Sequence, residues 1–253
     1  MQRPLDDSRL LRLPLLIALA LALPIASACG GDDDDDSDGT NEPDAAVSAD
    51  AAPLDASGEC EPTSVLPANF RPIAEVSEGT VVTTPGDVTG AVIDATAGGS
   101  MMQANNPFIY VDLEKGTKAE IDDVEAYDSD AWDIAWKRAN IRLNGGDSGT
   151  GGVAKATVPA ENLEAVKEAP PDGEFATDDW VDENCELIAQ QKGTPSNSFG
   201  EWYEYDIDTN RLAPKAEVHV IRTRSGTLVK LEIENYYDEE NNSAVYTVRW
   251  APL

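Results

Sequence analysis

Three sets of residues in this chain have types and spacing that bear on chemistry: Gly146-Asp147-Ser148-Gly149, the cysteines Cys29, Cys60 and Cys185, and the single histidine His219. Gly-Asp-Ser-Gly reads as the nucleophile turn of a serine protease. That chemistry needs a histidine base beside the serine and an aspartate behind it, with the histidine upstream in that arrangement. His219 lies downstream, between Val218 and Val220 in an alternating pattern, the setting of a strand histidine that is hydrogen-bonded or faces solvent. The motif therefore reads as a glycine-rich turn that closes a strand.

Cys29 ends the run Ala26-Ser27-Ala28-Cys29, which follows an apolar stretch over 13–25 and a basic start at Arg3, Arg9 and Arg12. Residues 1–28 have the organisation of a lipoprotein signal peptide, in which the cysteine is lipidated and becomes the mature N-terminus. An ordinary secretory signal cut at the Ala-x-Ala step is the alternative. Two or more acyl chains, at roughly 0.8 kcal/mol per buried CH2, anchor a protein stably. Gly30, rather than aspartate, after the cysteine favours sorting to a bacterial outer membrane, with the domain periplasmic or surface-exposed.

Cys60 and Cys185 then remain as an even pair in an oxidising compartment, so a disulfide is expected, with two separate buried thiols as the alternative. Two cysteines and one distant histidine do not make a zinc set, and no metal site is expected. Residues 29–59 read as a disordered acidic tether. Asp32 to Asp36 and Asp38 form a like-charge block with no apolar stripe to bury, and they lack the ligand spacing of a calcium loop. Residues 60–253 form the folded domain, long enough to bury a substantial core. The chain carries 48 acidic and 18 basic residues, a formal net charge of −30, which argues against nucleic acid or an anionic membrane surface as partner.

The elements that position these residues are strands. Over 132–143 apolar side chains fall at Trp132, Ile134 and Trp136, then at Ala139, Ile141 and Leu143. The change of parity predicts a central strand that carries a bulge or is buried on both faces. Other strands are predicted at 90–95, 106–113, 117–121, 153–158, 201–205, 216–222, 227–235 and 244–250. Thr223-Arg224-Ser225-Gly226 is a hairpin signal, and 162–167 can form a short helical turn before Pro170-Pro171. The fold class is mostly β, a single antiparallel-sheet domain with little helix.

The run Trp132-Asp133-Ile134-Ala135, Arg138, Ile141-Arg142-Leu143-Asn144 and Ser148-Gly149 resembles the core of the HmuY family of haem-binding bacterial outer-membrane lipoproteins. Ile93-Asp94-Ala95, Val220-Ile221-Arg222, Ser225-Gly226 and Tyr236-Tyr237-Asp238 extend the resemblance in order. It implies an HmuY-type β fold, a haem or tetrapyrrole ligand taken up for acquisition, and an outer-membrane transporter as partner. It also implies iron ligation by two histidines, one in the region corresponding to 170–199 and one just after Trp202-Tyr203-Glu204-Tyr205. Neither region holds a histidine. Tyrosine binds haem iron elsewhere, and Tyr203 and Tyr205, nearest the second position, are the candidate replacement ligands. Packing within a sheet is the other reading of these aromatics. No phosphate loop or activated nucleophile is present, so no enzymatic activity and no catalytic residue is expected. The alternative to haem binding is an envelope lipoprotein or interaction module that retains the fold.

Overall fold

Alternating apolar side chains become twelve strands among the described residues, which are 60–190, 193–200 and 202–253 of this computed structural model. In chain order they are β1 (Val81–Thr84), β2 (Thr89–Asp94), β3 (Ile109–Asp112), β4 (Thr117–Ala119), β5 (Ile134–Lys137), β6 (Asn140–Leu143), β7 (Ala154–Pro159), β8 (Tyr203–Asp206), β9 (Arg211–Pro214), β10 (Glu217–Arg222), β11 (Leu228–Tyr237) and β12 (Ser243–Pro252). The one α-helix among them, α1 (Asp123–Ala126), is a single turn capped by the Asp122 carboxylate on the Val124 and Glu125 amides. The signal peptide, Cys29 and the tether lie outside the described residues.

All named strand pairings are antiparallel. A six-stranded sheet has the order β1-β2-β12-β11-β10-β7, a four-stranded sheet the order β4-β3-β5-β6, and β8 pairs with β9 alone. On β11, Val229, Leu231 and Ile233 turn into the main core while Lys230, Glu232 and Glu234 face outward, as the alternation demands. Glu232 and Glu234 there flank Arg249 of β12, each 2.7 Å from its guanidinium. The main core lies between the two larger sheets, filled by Ile93, Val111, Trp136, Leu231, Tyr246 and Trp250 among others. The four-stranded sheet has a second apolar layer on its other face, built from Phe108, Tyr110, Trp132 and Ala135. That is why β3 and β5 are buried on both faces.

The expected single strand over 132–143 is instead a tight hairpin. β5 pairs with β6, Lys137 stands opposite Asn140, and Arg138-Ala139 is the two-residue turn. The parity of the apolar residues changes because the chain reverses there, and no glycine marks the place. Arg138 adopts φ 53°, a left-handed conformation that a non-glycine residue holds only when its surroundings fix it. Strands β1 and β9 have no strong sequence signal. Their alternation is weak, and they are recruited as partners by β2 and β8. The expected helical turn appears as a 3-10 turn at Leu163–Ala165, capped by Asn162.

Cys60 and Cys185 are joined, with S–S 1.98 Å and Cα–Cα 5.3 Å across 125 residues of sequence. The bond ties the start of the described chain to the loop after β7. Closing so long a loop restricts the unfolded ensemble, so the double variant Cys60→Ser/Cys185→Ser should lose about 2–5 kcal/mol in urea unfolding. An unchanged midpoint would show that the bond constrains nothing.

Candidate functional site

The site is built from the β5–β6 turn outward. The Arg138 amide donates to the Ala95 carbonyl at 2.8 Å. Its guanidinium donates to the carbonyls of Thr96 and Ser243 and to the Ser243 hydroxyl. From the other side, the Tyr246 hydroxyl donates to the Arg138 carbonyl at 2.7 Å and the Trp202 indole N–H to the Ala139 carbonyl at 3.0 Å. Trp202 packs on Tyr203, Tyr236 and Tyr246 with ring centroids 5.1–5.6 Å apart. Because β8 starts directly after Trp202, this one side chain sets where β8 lies relative to the turn. The β8–β9 ribbon is also held to β11, where the Leu212 amide donates to the Tyr237 hydroxyl at 3.0 Å and Arg211 covers the Tyr237 ring at 3.9 Å.

These ties leave a cleft of about 480 Å³ between the turn and the ribbon, within the range of small-molecule sites. Tyr203 and Tyr205, two residues apart on one strand face, both line it, together with Leu212 and Tyr236. The structure therefore brings the two tyrosines singled out in the sequence into one concavity. Tyr205 is half exposed and its hydroxyl donates to Asn210 at 2.7 Å. Burial pushes the Tyr236 hydroxyl up to about 12, so it stays a neutral phenol. Phe70 and Gln103 form part of the opposite rim with Lys137 and Asn140, and Gln190, Thr194 and Asn197 supply uncharged polar groups. Haem needs an apolar aromatic wall, an oxygen, nitrogen or sulfur ligand for iron, and cations for its carboxylates. The aromatic wall, three phenol oxygens and two cations, Lys137 and Arg138, are present among the described lining residues, with no histidine, methionine or carboxylate. The negative net charge is thus absent from the described cleft wall, a local arrangement that composition cannot reveal.

Lys137 is the least expected of these residues. It is only 2 % exposed, and its ammonium finds no hydrogen-bond acceptor among the described residues. The Phe108 ring centroid lies 5.3 Å away. Burial lowers its pKa from 10.5 to about 8, against the attraction of Asp123. Asn140, its cross-strand neighbour, is also buried, and its amide oxygen likewise has no donor among the described residues. In the sequence, Lys137 sits in the charged pair Lys137-Arg138 between apolar residues, a signal that looks like a solvated strand end.

The other candidates are placed elsewhere. The Ser148 hydroxyl donates to the Asp178 carboxylate at 2.5 Å, and Asp147 accepts from the Trp180 and Val181 amides. A Cβ at Gly146 would collide with the Asp178 carbonyl oxygen. The motif thus docks the 176–181 segment and positions no nucleophile. His219 is buried against Phe199, with Nε2 3.8 Å from Glu217, and burial pushes its pKa well below the ordinary value. It is a neutral core residue outside the cleft lining. Asp178 itself was not legible. Fully buried, it accepts from Leu143, Ser148 and Ser198, and burial raises its pKa. Among the described residues no group of three His, Cys, Asp or Glu side chains could hold a metal ion.

The described residues form antiparallel sheets with an aromatic-lined cleft beside the β5–β6 turn. The model of the HmuY family, described as HmuY protein, matches residues 104–250, and the chain belongs to that family. No curated protein matches the chain. The solved structures it resembles include a lipoprotein from Bacteroides fragilis, at 18 % identity over 67 % of this chain and 93 % of that one, TM-score 0.47. A protein from Bacteroides vulgatus described as HmuY-like and haem-binding shows 17 % identity over 68 % and 97 %, TM-score 0.47. The apo HmuY analogue of Tannerella forsythia shows 16 % over 69 % and 96 %, TM-score 0.47.

An ammonium whose pKa falls from 10.5 to about 8 on folding destabilises the fold by up to about 3 kcal/mol wherever it is charged in both states. Below about pH 8 that cost is complete, and it fades as pH rises from 8 through 10.5. Lys137→Met should therefore raise stability at pH 7 by up to about 3 kcal/mol, with the gain shrinking toward pH 10. Denaturant unfolding across this range checks it, and a variant less stable at every pH would contradict it.

Proposed function

We propose that this HmuY-family protein is a lipid-anchored envelope protein that binds haem or a related tetrapyrrole in the cleft beside the β5–β6 turn. The observation that carries the reading is that Tyr203 and Tyr205 line one aromatic cleft within the family-matched span. Haem, when bound, supplies an iron centre able to take phenolate oxygen as ligand. Tyr203 and Tyr205 offer that oxygen, Tyr236 and Leu212 present apolar surface that excludes water, and Trp202 fixes the strand that carries the two tyrosines. Signal peptide 1–28, lipidation at Cys29 and the acidic tether 29–59 would place the domain at an outer membrane, where an outer-membrane transporter is the partner for delivery. Among the described residues no helix is long and apolar enough to cross a membrane. The role is binding, with no catalytic step.

The second reading, a fold-retaining interaction module without haem, is favoured by one observation: no histidine or methionine is among the described lining residues. Haemin titration of the full chain in mild detergent, followed by absorbance, separates the two. The proposal expects saturable one-to-one binding, with the double variant Tyr203→Phe/Tyr205→Phe weakening it by about tenfold or more, a loss of about 1.4 kcal/mol. A flat titration would leave the interaction module. Binding that is unchanged in the double variant would remove the tyrosines as ligands.

A further inference from the structure

Behind the cleft wall, a buried titratable side chain is left without a complete set of partners. His219 of β10 is 1 % exposed, and its Nδ1 has no hydrogen-bond partner among the described residues. It shares a strand face with Ile221 of the main core, with Thr157 of β7 opposite on one side and Leu231 of β11 on the other. The Phe199 ring covers it, the two ring centroids lying 4.7 Å apart. The Lys155 ammonium, also buried, lies 5.0 Å from the same Phe199 ring and donates to the Thr157 hydroxyl at 2.5 Å. One phenylalanine thus closes over an imidazole and an ammonium together.

Strands β7, β10 and β11 are neighbours within the six-stranded sheet, but Phe199 belongs to no strand. It stands between Asn197 and Gly200, both of which line the cleft. Ser198 pins the same segment, its amide and hydroxyl each donating to Asp178 Oδ1 at 2.8 Å. The charged groups about the imidazole are Lys155 and Glu217. Burial lowers the Lys155 pKa only to about 8, so it is an ammonium at pH 7 and below, with Glu217 and Asp178 attracting it. Glu217 lies 3.8 Å from Nε2, and burial raises its pKa, which weakens it as a counter-charge in acid. An imidazolium here would stand beside an existing cation and away from water, a costly state unless solvent reaches it. Withdrawal of Phe199 admits solvent without breaking a sheet ladder.

We infer that Phe199 is an acid-released latch on the cleft wall: a proton taken up at His219 is accommodated when the ring withdraws, and residues 197–200 withdraw with it. The closed form keeps His219 neutral, by burial first and by the Lys155 charge second. A base whose pKa is lower in the closed form than in the open one favours opening as pH falls below its open value, about 6.5 for histidine. Glu217 and Asp178 have the opposite sense, since burial raises the pKa of both and a proton on either favours the closed form. The His219 contribution is therefore the difference between this chain and one that lacks the histidine. The latch is a property of the ligand-free protein and does not depend on the tetrapyrrole reading.

Amide hydrogen exchange of the ligand-free full chain in mild detergent tests it, at pH 7 and pH 5, with His219→Gln and Phe199→Ala beside the unaltered protein. Rates are normalised to the intrinsic exchange rate at each pH. The Ser198 and Gly200 amides, bonded to Asp178 and Asn197, report on the latch, and the amides of β11 and β12 report on the sheet. From pH 7 to pH 5, opening at Ser198 and Gly200 should increase about twentyfold more in the unaltered protein than in His219→Gln. The sheet amides should stay protected throughout. Phe199→Ala should leave Ser198 and Gly200 open already at pH 7, with no further response to acid. An equal acid response in His219→Gln, or loss of β11 and β12 protection together with the latch, overturns the inference. If His219→Gln is unprotected in the sheet at pH 7, Phe199→Ala decides alone, and an acid response retained there overturns it.

Discussion

The structure depends on a two-residue turn that has no glycine. Arg138 stands in a left-handed conformation at the end of β5, a state that costs of order 1 kcal/mol or more unless neighbours impose it. Here they do. Its amide, its guanidinium and its carbonyl all have partners, and the next carbonyl, that of Ala139, takes the Trp202 indole. These bonds come from the segment after β2, from the start of β12, from its Tyr246 and from the residue ahead of β8. Three distant parts of the chain therefore meet on one reversal. The cleft exists because the turn and the β8–β9 ribbon are held to a common point. Loss of the Trp202 donor would leave a part-buried carbonyl without this partner, at up to about 1 kcal/mol, and free one wall from the other.

A second constraint is electrostatic. Asp133, Asp178 and Asp123 are buried, and burial raises the pKa of each. Each is surrounded by donors that hold loops in place. Asp133 accepts from the Leu113 amide and pairs with Arg224 at 2.9 Å. Asp178 fixes the 198 region and Ser148 to the end of β6, and Asp123 fixes the chain at 73 and 108. Asn144 works the same way, donating to the carbonyls of Ser129 and Trp132 and accepting from Gly151. Buried groups of this kind must be satisfied to be tolerated. Lys137 is the contrast, a buried ammonium with no hydrogen-bond acceptor among the described residues.

That contrast explains how much was legible in the sequence. Trp132, Asp133, Arg138, Asn144 and Ser148, on which the family resemblance rests, are scaffold residues, whose bonds fix strand ends and turns. The resemblance therefore reads the fold well and the ligand poorly. The alternation in β11 and the hairpin signal before it gave register directly, because one face is wet. The β5–β6 reversal was hidden because tertiary bonds, not a turn residue, create it. Of the site, Tyr203 and Tyr205 were visible as the tyrosines nearest the position where the family resemblance implies a second iron ligand. Lys137, Asn140 and Tyr236 were not, since their placement depends on which strands become neighbours. The acidic composition argues against nucleic acid and an anionic membrane surface as partners, and the described cleft wall reverses that sign locally.

The central claim is that ligand capture happens between the β5–β6 turn and the β8–β9 ribbon. Amide hydrogen exchange of the full chain, with and without haemin, tests it most directly by locating protection without assuming an iron ligand. Slowed exchange concentrated at 137–140 and 203–206, with little change along β1 and β2, is the predicted result. Saturating haemin with protection elsewhere, or with none at the turn, would contradict the account.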